Sequence, residues 1–392
     1  MEDVFITGIN VTKYRNIENL NIELPANSRT HLIITGKNGS GKSSLITLIA
    51  DSFNNILEDN KDIDFSENWI HRITRGDNLI YLYFNADSSK ENKIGSVKFS
   101  DITNIGKILF INIPAEHLFN TVKAPDITNI KKRYNDINLS KPHVTAYHNI
   151  IQTMVTMRIQ QLEAKENKDE KLYNQSVKWF NTLNNVISII YDTKDIELKY
   201  IPLEYNYKII HNGIGFDFNQ MADGFSSFFR IVSELMEKMD YYTDYGCDYT
   251  LPGIAFIDEL ETHMHVSMQK MALPFLTEMF PNIQFIVTTH SPFIINSIEN
   301  ATVYDLSIRE SLENPSQYSY ESIIEGYFDI DMYSKIMKDK LARYRELAFN
   351  ARSDEEKLEF SKLRVELQAI SPAQKETYIA FNEIERKRKS MI

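Results

Sequence analysis

Gly36-Lys37-Asn38-Gly39-Ser40-Gly41-Lys42-Ser43 matches the pattern G-x-x-x-x-G-K-[ST] at every defined position. Glycines at these places let a loop wind so that successive backbone N–H groups face a phosphate chain, and the helix after the loop adds its positive end. The context is right: the apolar run Thr30–Thr35 (THLIIT) has strand length, and Leu45–Leu57 has helical spacing. We therefore expect Gly36, Asn38, Gly39, Ser40, Gly41, Lys42, Ser43 and Ser44 to cradle ATP. Lys42 should reach the β- and γ-phosphates, and the Ser43 hydroxyl should ligate Mg²⁺.

Downstream, the chain alternates strand and helix. Strand Gly253–Ile257, helix Met268–Met279, strand Gln284–Thr288, helix Pro292–Ile298 and strand Thr302–Leu306 form a βαβα series, which predicts a parallel sheet. Ligands bind such sheets at the carboxyl ends of the strands, and two of these strands end in reactive side chains. GIAFI runs into Asp258-Glu259, where Asp258 suits Mg²⁺ and Glu259 suits deprotonation of an attacking water. FIVTT runs into His290, a hydrogen-bond donor for the γ-phosphate or that water. On this pattern Lys42, Glu259 and His290 are the expected catalytic residues, and Ser43 and Asp258 the expected metal ligands.

Upstream, Val4–Val11, Leu20–Leu24, Leu79–Phe84, Ile94–Phe99 and Ile108–Ile113 read as strands, and further strands fall near Ile196–Ile210. Between them the period becomes helical: Ile150, Met154, Met157 and Gln161, then Trp179, Leu183, Val186 and Ile190. The polar run Lys165–Lys171 divides the two blocks, predicting a helical hairpin too short for a coiled-coil arm. A helix is also expected over Phe225–Met239. Met332–Lys389 should be mostly helical, broken near Ala351–Asp354 and Ser371–Pro372.

Composition excludes several classes. One cysteine, Cys247, rules out a disulfide framework. The first residues lack a basic and apolar leader, and no run approaches a membrane span, so the expected location is cytoplasmic, with no membrane partner. The net charge of −11 argues against a body coated for non-specific nucleic-acid binding. It is uneven: residues 331–392 carry +3 and the remainder −14.

Taken together, Tyr14-Arg15-Asn16-Ile17, the P-loop, IDELETHMH at Ile257–His265 and TTHSP at Thr288–Pro292 resemble the ABC-type ATPase heads of the SMC, RecF and OLD-like group. The resemblance covers most of Met1–Ser307. It implies that Arg15 approaches the nucleotide and that a signature motif, here Met221-Ala222-Asp223-Gly224-Phe225-Ser226-Ser227, caps the γ-phosphate of a second head. Asp223 and Gly224 join the expected nucleotide contacts on that ground. The signature serine is replaced by Ala222, so its hydroxyl contact is lost and turnover is expected to be slow. The family's Gln-containing loop would fall after Ile113, with Glu116 a candidate. His263 and His265, beside Glu259 and Glu261, are placed by the resemblance in the loop facing the partner head, not in a metal site.

The expected fold class is therefore α/β: a P-loop ABC-ATPase head over 1–310, with an antiparallel N-terminal subdomain, a helical insertion at about 116–192 and a helical appendage over 311–392. The expected reaction is ATP + H₂O → ADP + phosphate, with ATP and Mg²⁺ bound. The expected partners are a second copy, in a head-to-head homodimer or higher even oligomer, and a separate effector, a nuclease or toxin. Ile323–Asp329 superficially resembles the opening of a Toprim nuclease, but no Asp-x-Asp occurs after Asp331, and the last 102 residues lack His and Cys. Heads of this kind without a nuclease domain resemble the ATPase subunits of Septu-like anti-phage defence systems. A RecF-like clamp binding duplex DNA is the alternative.

Overall fold

The computed structural model describes residues 5–59, 62–63, 70–75, 78–84, 97–98, 109–115, 150–243, 247–313, 315–318, 320, 322–323, 335–350, 353–369 and 375–389. The chain divides into two compact units, Met1–Tyr320 and Glu321–Ile392.

The centre of the first unit is a six-stranded sheet. It contains β3 (His31–Thr35), β8 (Leu109–Ile113), β12 (Gly253–Ile257), β13 (Ile283–Thr288), β14 (Ala301–Asp305) and β15 (Glu310–Glu313), in the order β15-β14-β3-β13-β12-β8. All pairs are parallel except β14–β15. Every residue of β3, β12, β13 and β14 is buried, as expected of parallel strands covered on both faces. That burial explains their unbroken apolar runs. The register places Asp305 beside Thr35, Ile34 beside Thr288, and Val287 beside Ile257. The strands thus end together, and the loops leaving them meet at a single sheet edge. Strand β13 lies between β3 and β12, so the segment carrying His290 separates the P-loop strand from the Asp-Glu strand.

A second sheet, in the order β2-β1-β6-β5, consists of β1 (Ile6–Tyr14), β2 (Ile17–Glu23), β5 (Ile70–Arg75) and β6 (Asn78–Phe84), all antiparallel. One core joins Ile6, Ile9, Val11, Leu20 and Ile22 of this sheet to Leu45, Ile46 and Ile49 of α1 (Lys42–Asp59) and to Leu32, Ile34 and Phe256 of the parallel sheet. Gln284 pins the two sheets together: its side chain accepts from Ile6 N–H at 2.7 Å and donates to the carbonyls of Ile6 and Thr30 at 2.9 and 2.8 Å. Of the expected strand Ile94–Phe99, only β7 (Val97–Lys98) lies in the described residues, paired with β4 (Asp62–Ile63).

The helical hairpin is α2 (Ile150–Glu166) and α3 (Glu170–Ile190), joined through Lys168 at φ 56° and capped by Asp169, whose carboxylate accepts from Leu172 N–H. All eight residues whose spacing predicted it are buried. A three-stranded antiparallel sheet comes next: β9 (Ile196–Ile201), β10 (Asn206–His211) and β11 (Ile214–Phe216). After it lie α4 (Asp223–Tyr242), α5 (Val266–Met279) and the short α6 (Pro292–Ile295). The first unit includes β15, paired with β14, and ends at Tyr320, ten residues beyond the expected boundary at 310.

The second unit contains α7 (Lys335–Asn350), α8 (Asp354–Gln368) and α9 (Lys375–Lys389) around Leu341, Tyr344, Leu367, Phe381 and Ile384. Ser353 and Glu356 form a capping box at the first expected break. Buried within this unit, Glu385 accepts from the Tyr344 hydroxyl at 2.5 Å and pairs with Arg364 and Arg388. Among the described residues no helix is long and apolar enough to cross a membrane. Glu116, and the Toprim-like residues Glu325 and Asp329, lie outside the described residues.

Candidate functional site

The loop after β3 is shaped by glycines at Gly36, Gly39 and Gly41, with φ of +136°, +80° and +107°. The first and last also have neighbours that exclude a side chain. A Cβ on Gly36 would sit 2.9 Å from the Oγ atoms of Ser307 and Ser40, and one on Gly41 would meet Ile17 at 3.0 Å. Two distant segments hold the loop. Ser307, just past β14, accepts from Lys37 N–H at 2.6 Å and is itself fixed by Asp305, whose carboxylate accepts from Ser307 N–H. On the other side Asn16 donates to Gly39 O at 2.8 Å. Arg15, at φ 52°, donates to Ser44 Oγ at 3.1 Å and stacks on its neighbour Tyr14. Arg15 therefore lies at the P-loop helix.

Lys42 is buried and folds back over its own loop, donating to Gly36 O at 2.8 Å and Lys37 O at 3.2 Å. Burial pushes its pKa down; the nearby carboxylates of Glu259, Glu261, Asp258 and Asp305 oppose that shift. Ser43 is exposed at the start of the helix. Ser40 Oγ is buried, with no hydrogen-bond partner among the described residues.

Past β12, Glu259 adopts φ 50°, an uncommon conformation for a residue with a side chain. Thr288 at the end of β13 holds it there. Its hydroxyl accepts from Glu259 N–H at 2.7 Å and donates to Asp258 Oδ1 at 2.5 Å, so one buried hydroxyl serves both members of the carboxylate pair. Thr262 donates to Glu259 Oε2 at 3.3 Å. Glu261 accepts from His290 N–H at 2.5 Å, and burial raises its pKa. The His290 ring has its pKa lowered, first by burial and then by Lys42, which favours neutral imidazole. Lys42, Asp258, Glu259 and His290 thus come together at one sheet edge from three strand ends. The donor set of Ser43 hydroxyl and Asp258 carboxylate is hard and oxygen-based, which fits Mg²⁺.

Asp223 and Gly224 sit elsewhere. They open α4, whose N-cap, Ala222, is exposed and makes no side-chain cap bond. A Cβ on Gly224 would fall 2.5 Å from His263 O and 3.3 Å from Met264 Cα. The helix start therefore packs directly on the turn after the Asp-Glu pair in the same chain. His265 accepts from Ser267 N–H as the N-cap of α5, and among the described residues no group of three or more His, Cys, Asp and Glu is placed to hold a metal. Thr288, Ser307, Asn16 and Glu261 had no role assigned from the sequence. Thr288, Asn16 and Glu261 stood inside the quoted motifs. Ser307 carried no signal, because its role depends on β14 lying next to β3.

Residues 32–296 match the family described as "AAA domain, putative AbiEii toxin, Type IV TA system". The chain belongs to that family. It is 24% identical over 200 residues to the retron Ec83 probable ATPase of Escherichia coli, covering 48% of this chain and 36% of that protein. It is 22% identical over 334 residues to the Septu protein PtuA of Bacillus mycoides, covering 81% of this chain and 42% of that one. With the endonuclease GajA of Bacillus cereus it shares 23% over 267 residues, covering 62% and 33% respectively. The chain therefore spans less than half the length of these relatives.

Proposed function

We propose that this chain hydrolyses ATP to ADP and phosphate, and that hydrolysis switches its assembly with a second copy and a separate effector in a defence-type system. The observation that carries the chemistry is the convergence of Lys42, Asp258, Glu259 and His290 where β3, β12 and β13 end together.

Each side chain has a role its surroundings suit. Lys42 exchanges the carbonyls of Gly36 and Lys37 for phosphate oxygens, a short move for an ammonium already desolvated and ringed by carboxylates. Gly36, Asn38, Gly39, Ser40 and Gly41 present backbone N–H groups, and Ser40 Oγ gains a partner. Ser43 and Asp258 would hold Mg²⁺, which would supply neutralisation of charge on the phosphates. Glu259, fixed by Thr288, takes the proton of the attacking water. Neutral His290, anchored through its backbone to Glu261, donates to the γ-phosphate. Arg15, bonded to Ser44, approaches the nucleotide at the start of the P-loop helix.

The start of α4, where Ala222 and Asp223 are exposed, suits the γ-phosphate of a second copy in an isologous pair. The defence-type setting is supported by similarity to a retron ATPase and a Septu protein. A cytoplasmic location and action on a separately encoded nuclease or toxin belong to the same proposal.

The test uses Lys42→Ala and Glu259→Gln in the full chain. Lys42→Ala should lose ATP binding, whereas Glu259→Gln should bind normally and lose turnover, because an amide cannot accept the water's proton. Wild-type phosphate release by Glu259→Gln would remove Glu259 from the base role.

A further inference from the structure

The helical hairpin and the β9–β11 sheet enclose a space that the ATPase site does not use. A cavity of about 230 Å³ lies between α2, α3, β9 and β10. Much of its lining is aromatic. Phe180 and Tyr207 stack with ring centres 5.7 Å apart and an interplanar angle of 27°, and Tyr200 packs on Tyr207 at 5.2 Å.

A guanidinium shares that lining. Arg158 Nη1 donates to Gln161 Oε1 at 2.5 Å, but Arg158 Nε is buried without a hydrogen-bond partner, and among the described residues no carboxylate pairs with this cation. A partly buried guanidinium normally has its charge answered, because desolvation without a partner is costly. Asn184 also faces the space. Its Oδ1 already accepts from Leu198 N–H at 3.1 Å, which leaves its NH₂ as the group it can offer.

Aromatic faces, a carboxamide donor and an unanswered cation call for a planar ring carrying hydrogen-bond acceptors and an anionic group. We propose that this cavity binds a mononucleotide, with its base on the Phe180–Tyr207–Tyr200 rings and its phosphate on Arg158. Bases stack on such rings without sequence preference, and Arg meets phosphate with its planar fork of donors. The site is separate from the P-loop.

The cavity also has a route to the start of α4. Phe180 lies edge-on to Trp179 at 5.1 Å, and Trp179 Nε1 donates to Asp240 of α4 at 2.6 Å. Tyr191, at the end of α3, packs on Phe225 in the first turn of α4 at 4.4 Å. Occupancy therefore biases the helix that would face the second copy, an extension that rests on the proposed function, whereas binding itself does not.

Trp179 provides the readout. In a full chain carrying Trp69→Phe, it is the only tryptophan. Lys42→Ala in the same chain removes the P-loop's grip on nucleotide. This protein is titrated with AMP, GMP, CMP, UMP and a pentanucleotide, monitored by Trp179 emission and calorimetry. At least one mononucleotide should saturate with Kd below about 1 mM. Arg158→Gln should weaken that binding at least tenfold and Phe180→Leu severalfold, with both variants keeping the parent's thermal transition. Failure of every mononucleotide to bind, or binding indifferent to Arg158→Gln, overturns the proposal. Arg158-dependent binding of the pentanucleotide alone overturns it in favour of a strand. ATP turnover by the unaltered chain, measured separately, tests the P-loop assignment and is independent of this result.

Discussion

Replacing Thr288 with valine removes one hydroxyl and almost no volume, at a position fully buried at the end of β13. Two hydrogen bonds disappear. The bond to Asp258 ends on a carboxylate and should contribute about 1.5–3 kcal/mol. The bond from Glu259 N–H leaves a backbone donor without an acceptor, which costs a further ~1–3 kcal/mol, less whatever water recovers. Because both depend on the same atom, the losses overlap, and about 2–4 kcal/mol in total is expected. The same hydroxyl holds Glu259 at φ 50°, so the carboxylate should lose its placement as the first unit loses stability. Thr288→Val should therefore lower the urea midpoint and, under the proposed function, cut ATP turnover by at least tenfold, while ATP affinity, which that proposal assigns to Gly36–Ser43, changes less than threefold. Thr288→Ser keeps the hydroxyl and should restore most of both. Wild-type turnover and an unchanged midpoint in Thr288→Val would refute the idea that one hydroxyl positions both carboxylates.

Three further outcomes are expected from the geometry. Ala222→Ser places a hydroxyl at an uncapped, exposed helix start, and should raise the thermal midpoint by an amount matching ~1 kcal/mol; under the proposed function it should also speed turnover, and a lower midpoint would count against it. Gly224→Ala should destabilise the isolated chain by about 1–3 kcal/mol, because its Cβ would strike the backbone at His263; it is thus a folding variant before it is a dimer variant, and an unchanged melt would contradict the packing. Asp240 is fully buried and burial raises its pKa from the usual 3.8 to about 7. A raised carboxyl pKa contributes stability that is present below pH ~4 and lost as pH rises through 7, so Asp240→Asn should flatten the fall in stability across pH 4–7, by a few kcal/mol at most. Parallel pH–stability curves for variant and wild type would dismiss this.

The strands of the parallel sheet were legible because burial on both faces demands continuous apolar runs, and THLIIT, GIAFI and FIVTT supply them. The helical hairpin was legible because its eight spaced residues all point inward. Strand β11 was missed, although Asn212-Gly213, with φ of 50° and 76°, is the turn that a two-residue hairpin calls for. Its signal lay in the turn, because the strand has only three residues. At the site, the residues with distinctive chemistry could be picked out from motifs. Their supports could not: Thr288, Glu261 and Ser307 act through neighbours that become adjacent only in the folded sheet. The position of β13 between β3 and β12 is likewise a fact of topology that no local pattern encodes.

That topology affects how the chain is made. Strand β3 emerges early in synthesis, yet its sheet neighbours are β13 and β14, and the Lys37–Ser307 bond spans 270 residues. At typical elongation rates of ~5–20 residues per second, the apolar segment HLIIT waits roughly 15–50 s for the strands that flank it. Helix α1 and the β1–β2 hairpin can form meanwhile, but they cover only part of that segment. The nascent chain thus spends much of its synthesis presenting a sticky, unpaired β-segment. Any product ending before Ala301 lacks one of the two strands that flank β3, making it a natural client for chaperones and a poor candidate for soluble expression.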